Sequence, residues 1–322
     1  MKAVRVNEFG GPEVLRWEDG VTEPSPGPGE VLIKVAGAGM NFADQSRRRG
    51  TYPGGPPPTT LGMEAGGTVA SVGSGVSDFK VGDNVMARVA GAQAEYVAAR
   101  AADVFPAPRG VDPVLAGGIP LVFLTAYHIL RTRADIQPGD TVLVHAAASG
   151  VGTAAIQLAR HWGASVIATA STEEKLALAR SLGADHTVNY VDDDFQARVK
   201  EITGERGVEV ILDSVGGDVL EKSMGCLGVY GRLVTYGNAS GAPASLAARD
   251  IFSVCGAVMG FSIGRSPEGF LDHKGAMAEM VSLFESGELR LVLDRTMPMG
   301  AVAEAHAHLA NRGTLGKVIL TP

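Results

Sequence analysis

Residues His145 to Ala159 read HAAASGVGTAAIQLA, and the reading of this stretch decides the fold. It follows the apolar run TVLVHA and leads into a helix-like segment, the strand–turn–helix order of a phosphate-binding turn. In the G-x-G-x-x-G register, Ala147 and Ser149 take the first two glycine slots and only Gly152 keeps the third. Ala and Ser are still small enough to let a pyrophosphate approach the backbone. A helix start also offers unpaired N–H groups and the positive end of a dipole. Ser149, Gly150, Val151 and Gly152 are therefore candidate phosphate contacts, with an unliganded strand–turn–helix as the plain alternative.

Downstream of the turn, strand-like and helix-like segments alternate: SVIATA, TEEKLALARSLG, HTVNY, DDDFQARVKEITG, VEVILDSV and GRLVTYG. Short apolar strands joined by helices predict an α/β fold, a doubly wound parallel sheet with helices on both faces. Upstream, to about residue 105, the runs KAVRV, EVLIKVAGAGM, GGTVASVG and DNVMARV are strand-like and separated by Gly/Pro turns. Past residue 262 the chain leaves the parallel unit through GAMAEMVSLFESGEL, RLVLDRTMPM and GKVILTP. The predicted layout is a nucleotide-binding unit, residues 123–262, inserted in a β-rich domain built from residues 1–122 and 263–322.

With 322 residues there is room for two domains and a sizeable core. The content of 45% hydrophobic and 20% charged residues is that of a globular protein. A formal charge of −7 argues against nucleic acid as a partner, and Arg47-Arg48-Arg49 reads as a solvated or anion-contacting loop. The N-terminal residues lack a signal-peptide pattern, and no run of about 18 apolar residues suggests a membrane span. Cys226 and Cys255 alone imply no disulfide framework. The expectation is a cytoplasmic protein with no membrane partner.

The second strand bears on the coenzyme. About 20 residues past the turn an NAD site places an acid for the ribose 2′-hydroxyl. Here the strand ends in Ala170 and Ser171, the first carboxylate is Glu173, and Lys175 follows. A hydroxyl and a cation suit the dianionic 2′-phosphate, so the sequence favours NADPH over NADH. Ser171-x-x-Glu174 also reads as a capping box, which leaves Lys175 able to point at the phosphate.

Taken together, GGPEVL, GMNFAD, LGMEAGGTV, LTAYHIL, HAAASGVG, DSVGG, YGNASG and GKVIL span the whole chain. On these motifs it resembles the zinc-free quinone oxidoreductases (zeta-crystallin type) of the medium-chain dehydrogenase/reductase superfamily. The resemblance implies a GroES-like catalytic domain around a Rossmann domain, and a homodimer joined through the nucleotide-domain sheets. Zinc-dependent relatives carry Cys in place of Asn41 and Gly-His-Glu in place of Gly62-Met63-Glu64, and often a lobe with four closely spaced cysteines, so with Cys226 and Cys255 alone neither zinc site can be built in the usual way. His306 and His308, two apart on a predicted helix, point in different directions. Glu64 reads as a structural remnant. Without a Lewis acid to hold an alkoxide, the suited chemistry is reduction of conjugated carbonyls.

The resemblance also assigns residues. It puts Asn41 at the nicotinamide end, its amide bonding the nicotinamide ribose or a substrate carbonyl, with a turn-forming Asn as the plain reading. Asp44 orients the same loop, and Tyr52 borders the substrate entrance, to stack on a ring or donate to a carbonyl, unless it is an ordinary loop Tyr. Thr125 meets the nicotinamide, while His128 reads as a packed helix residue. Tyr190 joins Ser171 and Lys175 around the 2′-phosphate or adenine, and Ser214 and Val215 lie near the adenosine. Gly237 and Asn238 approach the nicotinamide, the backbone near Phe261 its carboxamide, and Arg312 adds a phosphate-side cation. Lys317 is assigned to the last strand. The implied function is NADPH-dependent reduction of quinones or enones, by hydride or single-electron transfer and through positioning of the reactants. The rivals are an enoyl-thioester or alkenal reductase and a non-catalytic NADPH- or RNA-binding relative.

Overall fold

A computed structural model describes residues 1–322 and divides them into two compact units, Met1–Val122 with His273–Pro322, and Phe123–Asp272. Residues 263–272 thus go with the second unit, and the boundary expected at 262/263 falls short. Past the last parallel strand the chain first makes a turn at Ile263–Arg265 and a loop that buries Leu271. Only then does the helix His273–Ser286 begin.

The strands of the first unit's leading segment are β1 (Ala3–Val6), β2 (Leu15–Glu18), β3 (Glu30–Gly39), β4 (Thr59–Thr60), β5 (Glu64–Val72), β6 (Asn84–Arg88), β7 (Tyr96–Arg100) and β8 (Val104–Pro106). The second unit carries β9 (Thr141–Val144), β10 (Ser165–Ala170), β11 (His186–Asn189), β12 (Val208–Asp213), β13 (Leu227–Thr235) and β14 (Ala257–Gly260). The first unit is completed by β15 (Leu293–Pro298) and β16 (Lys317–Thr321).

In the first unit β1 lies between β2 and β4, and a larger sheet runs β15-β16-β3-β5-β6-β8, with β7 also pairing β3. The period-2 pattern of β3 points Val31, Ile33 and Val35 into a core shared with Val85, Ala87, Val318 and Leu320. Each such Val, Ile or Leu side chain contributes about 2 kcal/mol by leaving water. The glycines of β3 and β5 serve a close crossing. A Cβ on Gly66 would lie 2.3 Å from Gly117 N, and one on Gly37 would lie 2.4 Å from Val114 O. The short helix Pro113–Ala116 can therefore lie directly on the sheet backbone.

The second unit is the doubly wound fold that the alternation predicted. Its sheet runs β11-β10-β9-β12-β13-β14 and every pairing is parallel. Successive strands leave β9 in one direction through β10 and β11, then in the other through β12 to β14. The order reverses at β9, and the carboxyl ends beside it form the crevice where open α/β sheets take ligands. Leu143, Ile167, Val188, Ile211 and Leu233, one from each of five strands, form the core under one layer of helices.

Candidate functional site

In the second unit the predicted residues fall in a row along the carboxyl edge of the sheet. Tyr190 follows β11, Ser171 follows β10, the opening turn follows β9, Ser214 and Val215 follow β12, Gly237 and Asn238 follow β13, and Phe261 follows β14. Backbone bonds tie the row together: Tyr190 N to Ala170 O (3.2 Å), Ala147 N to Thr169 O (3.1 Å), Ala239 N to Ser214 O (2.9 Å) and Phe261 N to Thr235 O (2.9 Å). The last of these occupies the Phe261 N–H, leaving its carbonyl for a ligand.

The turn itself is built around Ser149, the N-cap of the helix Gly150–His161. Its Oγ accepts from Gly152 N at 3.0 Å, and its own hydroxyl hydrogen stays available to donate. Capping in this way satisfies one N–H of the first turn and leaves those of Gly150 and Val151 as anion donors. Gly152 is fixed by packing: a Cβ there would lie 2.5 Å from Ala146 O. Ala146 has φ +50°, a left-handed backbone that a side chain disfavours, by roughly 1 kcal/mol.

At the end of β10 the cap differs from the expectation. Thr172, not Ser171, is the N-cap of the helix Glu173–Ser181, its hydroxyl accepting from Lys175 N at 3.4 Å. The residue that closes the N–H is the one three positions before Lys175, and Ser171 stands one step too early. Ser171 Oγ accordingly has no capping duty and lies 3.5 Å from Lys175 Nζ. Tyr190 is half exposed beside this pair's strand neighbour. Asp213 is buried and accepts from Val215 N (3.1 Å) and Gly216 N, pinning the loop after β12; burial pushes its carboxyl up.

Thr125 is buried in the helix Pro120–Tyr127. His128 opens a π-helical turn, His128–Arg133, with Nδ1 2.9 Å from Thr132 Oγ1 and its ring against Tyr127 and Phe261. It is a packed histidine. Arg312 belongs to the first unit, in the left-handed turn after the helix Val302–Ala310.

The first unit gathers a second group. Asn41 is the N-cap of the helix Phe42–Arg48, and Asp44 in that first turn accepts from Asn41 N at 2.8 Å. Burial pushes the Asp44 carboxyl up to about 6, against the pull of the Asn41 N–H and of Lys317. Tyr52 is half-buried in the loop beyond this helix.

The residues that sequence reasoning set aside are central here. Glu64, at 0% exposure, meets Lys317 Nζ at 2.7 Å, and Lys317 is itself only 3% exposed. Glu64 Oε1 also accepts from Asn41 Nδ2 (2.9 Å), and Oε2 from Leu121 N (2.8 Å). Glu64 is therefore no idle remnant. Lys317 does open the last strand, but its ammonium completes a buried ion pair. The two lie 253 residues apart, so no local sequence pattern pairs them.

This donor set does not fit a zinc ion. An amide, a thioether and a carboxylate already neutralised by an ammonium cannot match the thiolates and imidazoles that zinc takes, and a dication would be repelled by Lys317. Nowhere do three His, Cys, Asp or Glu side chains converge in a metal-holding group. His306 is enclosed and faces Arg48, while His308 bonds Asp294 Oδ2 at 2.8 Å.

Residues 150–286 match the family described as zinc-binding dehydrogenase, and residues 27–109 match the alcohol dehydrogenase GroES-like domain. The chain is 37% identical to a quinone oxidoreductase of Pseudomonas aeruginosa, over 100% of this chain and 99% of that protein. It is 36% identical to a 2-haloacrylate reductase of Burkholderia, over 99% and 98%. The crystal structure of Escherichia coli quinone oxidoreductase complexed with NADPH superposes with a TM-score of 0.94 at 34% identity, covering 100% of both chains. The protein is an oxidoreductase. It belongs to the zinc-free quinone oxidoreductase family of the medium-chain dehydrogenase/reductase superfamily.

Proposed function

We propose that the protein reduces quinones or other conjugated carbonyls with NADPH and needs no zinc to do so. The observation that carries this reading is the ammonium of Lys317 on Glu64, which leaves a dehydrogenase-type fold with no place for a Lewis acid. An alkoxide would then go unstabilised, whereas a conjugated acceptor spreads the incoming charge over its own π-system. Bound NADPH supplies the hydride. The helix start at Gly150 holds its pyrophosphate, Ser171, Lys175 and Tyr190 hold its 2′-phosphate, and Tyr52 contacts the acceptor ring.

A chelator-dialysed sample should oxidise NADPH with an ortho-quinone at the rate of the untreated protein and should contain no stoichiometric zinc. Zinc near one atom per chain, with activity lost on chelation, would overturn the reading. The second reading is an enoyl-type reductase, favoured by the likeness to a protein named for reducing 2-haloacrylate, a conjugated acid. Running 2-chloroacrylate, an alkenal and a crotonyl thioester beside the quinone ranks the two. NADPH binding with no turnover of any acceptor would instead point to a non-catalytic role.

We also propose a cytoplasmic homodimer. No helix is long and apolar enough to cross a membrane. Strand β14 is an uncovered sheet edge, and beside it stand the side chains of Tyr230, 76% exposed, and Phe252, 82% exposed. Tyr230 sits in a bulge of β13, and its N–H bonds Val254 O in the segment that joins the Phe252 helix to β14. An open edge with exposed aromatics is suited to pairing with a second copy.

A further inference from the structure

Three neighbouring strands, β16, β3 and β5, deliver Lys317, Asn41 and Glu64 to one point. All three hydrogens of the Lys317 ammonium are engaged, by Met40 O (2.6 Å), Glu64 Oε1 (2.7 Å) and Asn41 Oδ1 (2.9 Å). Both hydrogens of the Asn41 amide are engaged too, by Glu64 Oε1 (2.9 Å) and Gly39 O (3.2 Å). This chemistry fixes the carboxamide orientation. Turned over, its NH2 would face an ammonium and its oxygen a carboxylate.

We infer that Lys317 is a positioning residue that turns the Asn41 amide hydrogens inward and makes Asn41 an acceptor-only contact for a hydroxyl-bearing ligand. Asn41 has no hydrogen left to polarise a substrate carbonyl, and its oxygen, an acceptor only, would repel a developing oxyanion. Of the two partners the sequence left open, the ribose hydroxyl fits and the substrate carbonyl does not. Asn41 then contributes to holding the coenzyme, and protonation of the acceptor falls to another donor. The inference rests on the reading of Asn41 as a contact at the nicotinamide end.

A double-mutant cycle on coenzyme affinity tests it, read by fluorescence titration with NADPH and so independent of which acceptor is reduced. Asn41→Ala and Lys317→Met should each weaken NADPH binding by about tenfold, and the double variant should be no weaker than either single one. Lys317→Met leaves Glu64 buried and unpaired, which threatens the fold. Glu64→Gln/Lys317→Met removes both charges at near-constant volume, should melt near the parent, and should show the same loss because the amide is free to turn over. Lys317→Arg, which keeps a cationic donor, should recover part of the affinity. Losses that multiply toward a hundredfold, or an unchanged Kd in the neutral pair variant, would overturn the inference. So would an Asn41→Ala protein that keeps its NADPH Kd while the quinone KM rises, because Asn41 would then be a donor to substrate.

Discussion

The Arg48 guanidinium donates to His306 Nδ1 at 3.1 Å, with both side chains closed to water. Because Nδ1 accepts, the imidazole proton sits on Nε2, where it finds no partner. Burial, then the charges of Arg48 and Arg49, hold this histidine down at about 3, and burial alone holds His145 down at about 4. In both cases the unfolded chain takes up a proton near pH 6.5 that the folded chain refuses. Stability from these groups is full above about pH 6.5 and is lost as pH falls toward 4. Asp44 acts in the opposite sense, since its raised pKa costs stability as pH rises from about 4 through 6.

His306→Gln keeps an acceptor for Arg48 and removes the titration. Denaturant melts between pH 4 and 6 should show a slope shallower than the parent's by about 1.4 kcal/mol per pH unit, one proton's worth. An unchanged slope would mean that His306 is protonated in the folded state.

Coenzyme choice should depend on Lys175. The parent should bind NADPH at least about tenfold more tightly than NADH, or about 1.4 kcal/mol. Lys175→Glu sets a carboxylate where we propose that the 2′-phosphate binds and should abolish that preference while NADH binding changes little. The preference should also shrink with added salt. Equal losses for the two coenzymes would assign Lys175 to the fold instead.

Ala146→Gly should raise stability by about 1 kcal/mol, because glycine adopts φ +50° without strain. Gly152→Ala should do the reverse, by 2 kcal/mol or more on the order of an overpacked core site, since its methyl would meet backbone oxygens that cannot move aside. Thermal melts of the two variants give the comparison, and a neutral Gly152→Ala would show that the turn can relax.

The pair Tyr230→Asp/Phe252→Asp should yield a monomer by light scattering with unchanged circular dichroism. A dimer that persists in this variant would have to use another surface.

The sequence made the second unit legible because each of its contacts is local. A strand, a turn and a helix are adjacent in the chain, so the row from Tyr190 to Phe261 follows from strand ends alone. Within that row, Ser171 was misread as the cap because Thr172 offers the same hydroxyl one residue later, and φ/ψ, not composition, chooses between them. The first unit was harder to read. Its sheet joins β16 to β3 and β3 to β5, and no periodicity shows that a lysine at one end of the chain closes on a glutamate near the other.

That closure has a consequence for the order in which the molecule comes into being. Lys317 is synthesised 253 residues after Glu64, and β16 must slip between β15 and β3 to deliver it. Until then the leading segment holds a carboxylate without its ammonium partner, and β3 lacks its neighbour β16. Emerging from the ribosome, this β-rich segment has to wait, while Phe123–Asp272 has all its strands in hand and can fold first. The inserted unit would thus be finished before the one whose two segments flank it in the chain.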